Sequence, residues 1–362
     1  MVVYTELSDE KALQATLNRE LPDMKAHLPT SMAYLLRDVL YCASVAWLTW
    51  KAIEHEAPMT LVYPMYSLAM GTVLTGIWVL GHECGHGAFA QTTIVNDCVG
   101  YVLHSALLVP YFSWKFSHAK HHRHTNDTIR GESHVPSVND TPTRAVHRLL
   151  GDDAFAVVNV LLHLMLGWPL YLLLNVTGGR EAHDGARFVR GRATSHFNPA
   201  SQVFPPCMRS RVFASTAGCG AVATVLTLTD AWFWYAGPYL ITNAWLVLYT
   251  WLQHTHPLVP HHGTPSFLKG ALCTVDRPYP ALIDHLHHQI GSTHVLHHIR
   301  SKTPHYHARS ATRVLRDILE DHYLYDSTPI LRAMWETAHT CHYIDGVHGT
   351  QYYRSFAKAK KM

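Results

Sequence analysis

The stretch GHECGHGAFA, residues 81–90, carries two histidines four positions apart in the order His-Glu-x-x-His. It directly follows residues 57–80, a run that contains no Asp, Glu, Lys or Arg. Residues i and i+4 lie on one face of a helix, so His82 and His86 are predicted to point to the same side. The same order occurs in zinc metalloproteases, where the glutamate is the general base. The residues around this stretch therefore decide whether the two histidines belong to a zinc protease site or bind a different metal.

The composition predicts a protein embedded in lipid. Of 362 residues, 48% are apolar and only 15% are charged, whereas about a quarter of the residues in a soluble domain are charged. The formal net charge of +3 is too small to predict nucleic-acid binding. The seven cysteines show no paired spacing, which predicts free thiols in a reducing compartment. The 30 histidines are unusually many and require an explanation.

Four segments are apolar enough to predict membrane-spanning helices, each of which needs about 20 mostly apolar residues. Residues 1–30 are mixed polar and charged and lack the apolar core of a signal peptide, so we expect a polar cytosolic N-terminus. Residues 31–362 are predicted to form a single membrane domain. The predicted spans are approximately 31–50, 57–80, 212–229 and 231–253.

Two further apolar runs are ambiguous. Residues 98–114 form the first, and residues 154–179 form the second, which Gly167-Trp168-Pro169 is expected to interrupt. The loop 178–211 carries six arginines and only two acidic residues, and short basic loops stay on the cytosolic side. We therefore expect both runs to be re-entrant or interfacial. Six full spans are the alternative.

This topology predicts an all-α integral membrane protein with four transmembrane helices, two re-entrant or interfacial segments and a cytosolic helical cap. The cap would consist of residues 81–211 and 254–352, followed by a basic tail at 353–362. Both termini and all histidine clusters would then be cytosolic. The last residues, KAKKM at 358–362, fit the K-x-K-x-x pattern of an endoplasmic-reticulum retrieval signal, and a merely solvated basic tail is the alternative.

The stretch at 81–90 is one of three histidine clusters, and the other two are the strings HAKHH and HVLHH. Positions i, i+3 and i+4 share a helix face, so each cluster can aim two or three imidazoles at one point. Imidazole binds iron, zinc, copper and nickel, and eight of them exceed the four ligands of one zinc ion. The pattern therefore predicts a dinuclear metal centre. Its candidate ligands are His82, His86, His118, His121, His122, His294, His297 and His298.

Two other functions fit parts of this pattern. A zinc metalloprotease would use Glu83 as general base, but it would leave six clustered histidines without a role. A histidine-rich metal transporter would carry ionisable residues inside its spans, and the four predicted spans contain almost none. We therefore interpret Glu83 as a residue that orients a metal ligand through a hydrogen bond.

With the clusters assigned, the chain resembles the membrane fatty acid desaturases, specifically the methyl-end acyl-lipid branch of plants and fungi. The resemblance implies a four-span helical fold with a cytosolic cap and a di-iron site held by the clusters. It also implies that two iron ions use dioxygen to remove two hydrogens from a lipid-linked acyl chain. The similar strings include GHECGHGAF, LLVPYFSWKFSHAKHHRHTN, GWPLYLLLNVTG, SHFNP, TWLQHTHPLVPHH, GALCTVDRPY, STHVLHH and TPHYHA.

The family fold implies a ninth metal ligand. His254, at the end of the last predicted span, is the first candidate, and His288, six residues before the third cluster, is the second. Either residue could instead orient a ligand by a hydrogen bond. Three aromatic residues are candidates for lining a substrate tunnel or for anchoring at the membrane interface: Tyr111, Phe112 and Trp114.

The resemblance also implies the reaction and its partners. We expect delta-12 desaturation of oleoyl to linoleoyl chains in the endoplasmic reticulum membrane, with omega-3, bifunctional delta-12/delta-15, hydroxylase or acetylenase activity as alternatives. Residues 256–259, His-Pro-Leu-Val, do not match the His-Pro-Gly-Gly motif of cytochrome b5 domains, and no G-x-G-x-x-G fingerprint is present. Electrons are therefore expected from a separate cytochrome b5 and its NADH-dependent reductase.

Overall fold

The computed structural model describes residues 2–187 and 192–357, and these residues are mostly helical. The retrieval pattern at 358–362 lies outside the described residues. In the described ranges one small sheet occurs, in which β1 (His261–His262) pairs antiparallel with β2 (Thr350–Gln351). The α-helices of the same ranges are α1 Glu10–Glu20, α2 Leu28–Glu54, α3 Met59–His86, α4 Thr93–Ala106, α5 Tyr111–Arg123, α6 Thr141–Leu150, α7 Asp152–Leu174, α8 Arg209–Leu228, α9 Trp232–His254, α10 Phe267–Ala271, α11 Ala281–Leu286, α12 His294–Ile299, α13 His305–Leu319 and α14 Ile330–Thr340.

Helix α3 lies in the centre of a set of packed helices. Its sequence is apolar on all sides and its C-terminal half is buried, which is typical of a helix surrounded by others. It packs against α9, α2 and α4. The helix ends at His86 because Gly87 takes a left-handed conformation (φ 75°), which glycine adopts readily. The first histidine cluster therefore lies at the end of the buried central helix.

Three helical stretches are long and apolar enough to cross a membrane: α3, α7 and Pro206–Leu228, which contains α8. A fourth crossing results if the bent pair α4 and α5 counts as one span. The predicted spans 57–80 and 212–229 lie in this set. The helices over the other two predicted spans, α2 and α9, are 27 and 23 residues long but fall outside it. The number of crossings therefore stays a prediction.

The run 154–179 differs from its prediction. We expected Gly167-Trp168-Pro169 to interrupt it, but α7 continues through these residues. A proline removes one backbone donor, and membrane helices tolerate this loss where neighbouring groups compensate. Trp168 is buried against Trp78 of α3, and this packing favours the uninterrupted helix. The predicted break is wrong, and α7 becomes a candidate span.

The run 98–114 doubles back on itself. Helices α4 and α5 meet at 106°. Leu108, in the connection between them, has a positive φ of 53°, and Pro110 immediately precedes α5. A bend of this size is compatible with the predicted re-entrant segment and with a broken span. It directs α5, which carries the second histidine cluster, back towards α3.

The N-terminal residues fold onto the cap. Helix α1 packs against α13 and α10, with Leu17 and Leu21 buried in the shared apolar cluster. Arg300, directly after α12, donates a hydrogen bond to the backbone oxygen of Leu17 at 2.9 Å. Because α12 carries the third histidine cluster, the N-terminal helix helps to fix that cluster in the cap.

Candidate metal centre

Three helices bring the predicted histidines together. The first cluster ends α3, the second occupies the last turns of α5, and the third makes up most of α12. The close approach requires glycine at two positions of the first cluster. A Cβ at Gly81 would lie 2.2 Å from the ring of His104, and one at Gly85 would lie 2.8 Å from the ring of Trp114. These two glycines therefore let α4 and α5 pack directly against the cluster.

Five histidines drawn from all three clusters form a first set, named the five-histidine group. One ring nitrogen from each lies within 4.8 Å of the others, a spacing that could hold a metal ion. Within the group, the Nε2 atoms of His82 and His86 are 3.3 Å apart. Those of His118 and His122 are 3.2 Å apart. The members are His82, His86, His118, His122 and His297.

A second set, named the α9 group, forms around His254. The ring nitrogens of His121, His254 and His298 lie within 4.8 Å of one another. Nε2 of His254 is 3.1 Å from Nε2 of His121 and 2.9 Å from Nε2 of His294, which completes the group. The rings of His122 and His298 stack at 4.1 Å, so the two groups are adjacent. All eight predicted histidines and His254 are thus brought together.

The donor chemistry of both groups fits metal ions. Nε2 of His297 and Nε2 of His298 are buried and have no hydrogen-bond partner among the described residues. Burial lowers the pKa of His294, His297 and His298 well below the usual value, which keeps these rings neutral. Neutral imidazoles that converge without hydrogen-bond partners are suitable ligands for transition metals such as iron. The residues present therefore fit two metal ions.

Two hydroxyl groups orient the α9 group. Ser133 Oγ is 2.9 Å from Nδ1 of His121, and Thr125 Oγ1 is 3.0 Å from Nδ1 of His298. A hydrogen bond to one ring nitrogen fixes the ring and directs the other nitrogen to the metal position. Neither hydroxyl residue was predicted from the sequence. The sequence contains a weak indication for Thr125, because this residue follows His121 by four positions and could share its helix face. It contains none for Ser133, which lies in a loop.

Glu83 lies beside the centre. Its carboxylate accepts a hydrogen bond from the backbone N–H of His305 at 2.9 Å, which ties the first cluster to the start of α13. The other carboxylate oxygen is 4.0 Å from Nδ1 of His82, beyond hydrogen-bond distance. The described contacts therefore make Glu83 a link between α3 and α13. They do not include the predicted hydrogen bond from Glu83 to a ligand.

His288, the second candidate for a ninth ligand, is turned away from both groups. Its Nε2 is 2.7 Å from a carboxylate oxygen of Asp38, which is buried in α2. Its backbone is left-handed, with a φ of 53°. His254 and His288 are equally buried, each 3% exposed. Of the two candidates, only His254 reaches the cluster.

An apolar cavity leads to the histidines. It lies between α3, α7 and α9. Histidines of both groups form part of its wall, so a ligand in the cavity would touch the metal centre directly. The walls near the histidines are largely aromatic and aliphatic, which favours an apolar ligand. Lining residues include Trp78, Val79, Trp114, Trp168, Leu246 and Val247.

The three predicted tunnel residues separate in the structure. Trp114 lines the cavity and stacks on His118 at 4.6 Å. Tyr111 is fully buried in a different apolar cluster and donates a hydrogen bond to the backbone oxygen of Asn96 at 3.2 Å. Phe112 packs beside that cluster and does not line the cavity. Residues on one helical turn point in different directions, so only one of the three meets the cavity.

A family model described as fatty acid desaturase matches residues 58–329 of this chain. The match begins at the start of α3 and ends before α14, so it contains the three histidine clusters and His254. It therefore covers every residue of both histidine groups.

Similar proteins also match over most of their length. A "Delta(12) fatty acid desaturase FAD2" of Calendula officinalis is 41% identical over 327 residues, which cover 87% of this chain and 82% of the relative. An "Omega-6 fatty acid desaturase, endoplasmic reticulum" of Brassica juncea is 38% identical over 334 residues, 89% of this chain and 84% of the relative. An "Oleoyl-12-hydroxylase FAH12" of Ricinus communis is 38% identical over 304 residues, which cover 81% of this chain and 76% of the relative.

Proposed function

The chain belongs to the fatty acid desaturase family, and from this premise we propose that it introduces a cis double bond towards the methyl end of lipid-linked acyl chains. One observation carries the proposal: two adjoining histidine groups form part of the wall of an apolar cavity. The family membership sets aside the zinc protease and the metal transporter that the sequence had left open.

We propose that the centre holds two iron ions. The five-histidine group would hold one, and His121, His254, His294 and His298 would hold the other. When bound, iron and dioxygen supply the oxidation that an unactivated methylene requires, because such a carbon has no acidic proton and no leaving group. Neutral imidazoles support this assignment, since imidazole is a common ligand of iron.

The protein itself contributes binding, orientation and the exclusion of water. The cavity walls bind an acyl chain through apolar contacts and keep one C–C bond beside the histidines. Trp78, Trp114 and Trp168 exclude water from the reacting carbons, which protects a reactive centre from side reactions. Thr125 and Ser133 hold two ligand rings in position.

For the position of the double bond we propose delta-12 desaturation of oleoyl to linoleoyl. The printed name of the Calendula officinalis relative supports this position. Omega-3 and bifunctional delta-12/delta-15 desaturation, and acetylenase activity, remain the alternatives. The Ricinus communis relative supports a second candidate function, hydroxylation of oleoyl chains.

We further propose that the protein resides in the endoplasmic reticulum membrane, with both termini and the histidines on the cytosolic side. The printed name of the Brassica juncea relative and the three candidate spans support this location. Electrons would come from a separate electron-transfer protein, for which we propose cytochrome b5 and its NADH-dependent reductase. Membrane lipid acyl chains are the proposed substrate.

Fatty acid profiling of yeast that expresses this chain tests the proposal. The host makes oleate and palmitoleate but no polyunsaturated chains, and it supplies cytochrome b5. We expect new linoleate, which establishes both the reaction and its position. Trienoic products that form only when linoleate is fed would replace the delta-12 proposal with omega-3 desaturation. Hydroxylated oleate would favour the second candidate. No product, with iron-loaded protein in the membrane, would overturn the desaturase proposal.

A further inference from the structure

The string GALCTVDRPY, residues 270–279, lies outside both histidine groups but contacts two of the helices that carry them. Its residues 275–277, named the bridge, are buried, and none of the three is more than 1% exposed. The bridge contains an aspartate and an arginine, which are almost never buried this completely unless they are paired. The partners of these two side chains therefore indicate what the bridge does.

On one side, the bridge caps the start of α12. The first N–H groups of a helix have no partner within the helix, and Thr293, the N-cap residue of α12, forms no side-chain cap. Asp276 supplies one, because a carboxylate oxygen accepts a hydrogen bond from the backbone N–H of Val295 at 2.8 Å. The other carboxylate oxygen accepts a hydrogen bond from the hydroxyl of Tyr323. The position of His294, which directly precedes Val295, is therefore tied to Asp276.

On the other side, the bridge caps the end of α9. The last C=O groups of a helix also lack partners within the helix. The backbone oxygen of Leu252 accepts a hydrogen bond from Nε of Arg277 at 3.1 Å. The backbone oxygen of Gln253 accepts one from the backbone N–H of Val275 at 3.0 Å. The position of His254, which directly follows Gln253, is therefore tied to the same bridge.

The charges of the bridge match the two helix ends. A helix has a partial positive charge at its N-terminus and a partial negative charge at its C-terminus. Asp276 brings a negative charge to the start of α12, and Arg277 brings a positive charge to the end of α9. Arg277 also forms a buried ion pair with Asp326, which fixes its guanidinium in place. One short segment therefore holds two helix ends at a fixed separation.

The rings of His254 and His294 depend on such support. Their Nε2 atoms are 2.9 Å apart in the α9 group. Their Nδ1 atoms are buried and have no hydrogen-bond partner among the described residues, whereas hydroxyl groups orient His121 and His298. The position of the two rings is therefore set by the backbone that carries them, and the bridge fixes that backbone.

We propose that the bridge sets the distance between His254 and His294, so that both bind the same metal ion. Asp276 and Arg277 are its positioning residues. The inference rests on the proposed two-iron centre and adds the residues on which one of the two ions depends. The five-histidine group takes no ligand from α9 and only His297 from α12. Loss of the bridge therefore weakens binding of the iron ion in the α9 group and leaves the other ion in place.

Iron release from the purified full chain tests this role without relying on activity. The iron-loaded protein in detergent is incubated without oxygen at increasing concentrations of a ferrous chelator, and the iron left per chain is measured. Asp276→Ala is expected to lose one ion at a chelator concentration about 10–100-fold lower than the unchanged chain, the usual cost of removing a group that orients a ligand. The other ion is expected to leave at the same concentration as in the unchanged chain.

Asp276→Asn is the matched control for this variant. Its amide oxygen can accept the hydrogen bond from Val295, and its amide nitrogen can donate one to the hydroxyl of Tyr323. We expect the first ion to leave within about fivefold of the concentration for the unchanged chain, because only the charge at the helix end is lost. A loss as large as in Asp276→Ala would overturn the proposed cap. So would Asp276→Ala if it released both ions together, or neither more easily than the unchanged chain.

If Asp276→Ala does not accumulate in membranes, Tyr323→Phe replaces it, with Tyr325→Phe as its control. Tyr323 donates a hydrogen bond to Asp276, whereas Tyr325 is 37% exposed. Tyr323→Phe is expected to release the first ion at an about fivefold lower chelator concentration, the usual cost of one hydrogen bond. Equal release from the two phenylalanine variants would overturn the inference.

The same titration separates this inference from the proposed function. An unchanged chain that binds no iron, or a single ion, would overturn the proposed two-iron centre. An unchanged chain that binds two ions, together with variants that release iron as it does, would overturn only the role of the bridge.

Discussion

The two histidine groups are held in place by different forces. In the five-histidine group, aromatic packing dominates: His82 stacks on Trp78 at 5.5 Å and His118 stacks on Trp114 at 4.6 Å. The remaining nitrogen of His82, Nδ1, has no hydrogen-bond partner among the described residues. The orientation of these rings therefore depends on the shape of the surrounding core.

In the α9 group, hydrogen bonds orient two of the four rings, whereas Nδ1 of His254 and Nδ1 of His294 have no hydrogen-bond partner among the described residues. Ser133 fixes His121, and Thr125 fixes His298. A stacked ring is insensitive to small polar changes nearby, whereas a hydrogen-bonded ring loses its orientation with one hydroxyl. We therefore expect two sites built from the same side chain to respond to different substitutions. The four predictions below test that difference, from the largest expected effect to the smallest.

His121→Ala should have the largest effect, because His121 belongs to the α9 group and its ring also stacks on His118 of the five-histidine group at 5.6 Å. Loss of an orienting partner already costs about 10–100-fold in metalloenzymes, and loss of a ligand costs more. We expect no linoleate in yeast while the protein still accumulates in membranes, as measured by immunoblot. Retained desaturation would contradict the role of the second cluster.

His254→Ala and His288→Gln compare the two candidates for the ninth ligand. His254→Ala removes the centre of the α9 group, so we expect the purified protein to lose about half of its iron. His288→Gln leaves both groups complete and keeps a donor for Asp38, so the iron content should not change. Iron per protein, measured by elemental analysis, decides between them. The opposite ranking would assign the ligand to His288.

Thr125→Val removes the hydroxyl that orients His298 and keeps the volume of the side chain. We expect a loss of about 10–100-fold in desaturation, the usual cost of removing a partner of a ligating histidine. Thr125→Ser retains the hydroxyl and should restore most of the activity. Equal losses in the two variants would mean that the methyl group, not the hydrogen bond, matters at this position.

The smallest expected effect is a loss of stability of the iron-free protein as the pH falls. The pKa of His294, His297 and His298 is lowered by burial in the folded state, whereas in the unfolded chain a histidine titrates near about 6.5. Below that pH the unfolded state binds protons that the folded state does not, so stability falls as pH falls. The melting temperature in detergent should decrease between about pH 7 and pH 5.5. A flat profile would mean that these rings are protonated in the folded state.

Much of the candidate site could be predicted from local spacing. The separations within each cluster are three and four residues, and helix geometry alone puts such residues on one face. The eight cluster histidines were therefore predictable without any knowledge of how the helices pack. Helices α3 and α8 could also be predicted, because the apolar composition that indicates each of them lies within one continuous segment.

Features that depend on contacts between distant segments were predicted less well. The continuity of α7 depends on Trp168 packing against Trp78, not on the local Gly-Trp-Pro sequence. The hydroxyl of Ser133 meets His121 through a loop whose course the sequence does not reveal. Among the predicted tunnel residues, Trp114 lines the cavity while Tyr111 is buried elsewhere, although both lie on α5.

The sequence by itself determined a membrane protein with three helical histidine clusters, because composition and helical spacing are properties of short continuous segments. Only the tertiary structure decided how the histidines of the three clusters are divided between two groups, and which further histidine joins them. His254 contacts His294, which is 40 positions away in the sequence, whereas His288 contacts Asp38, which is 250 positions away. Contacts over such separations depend on the packing of whole helices, and no local pattern distinguishes two equally buried histidines.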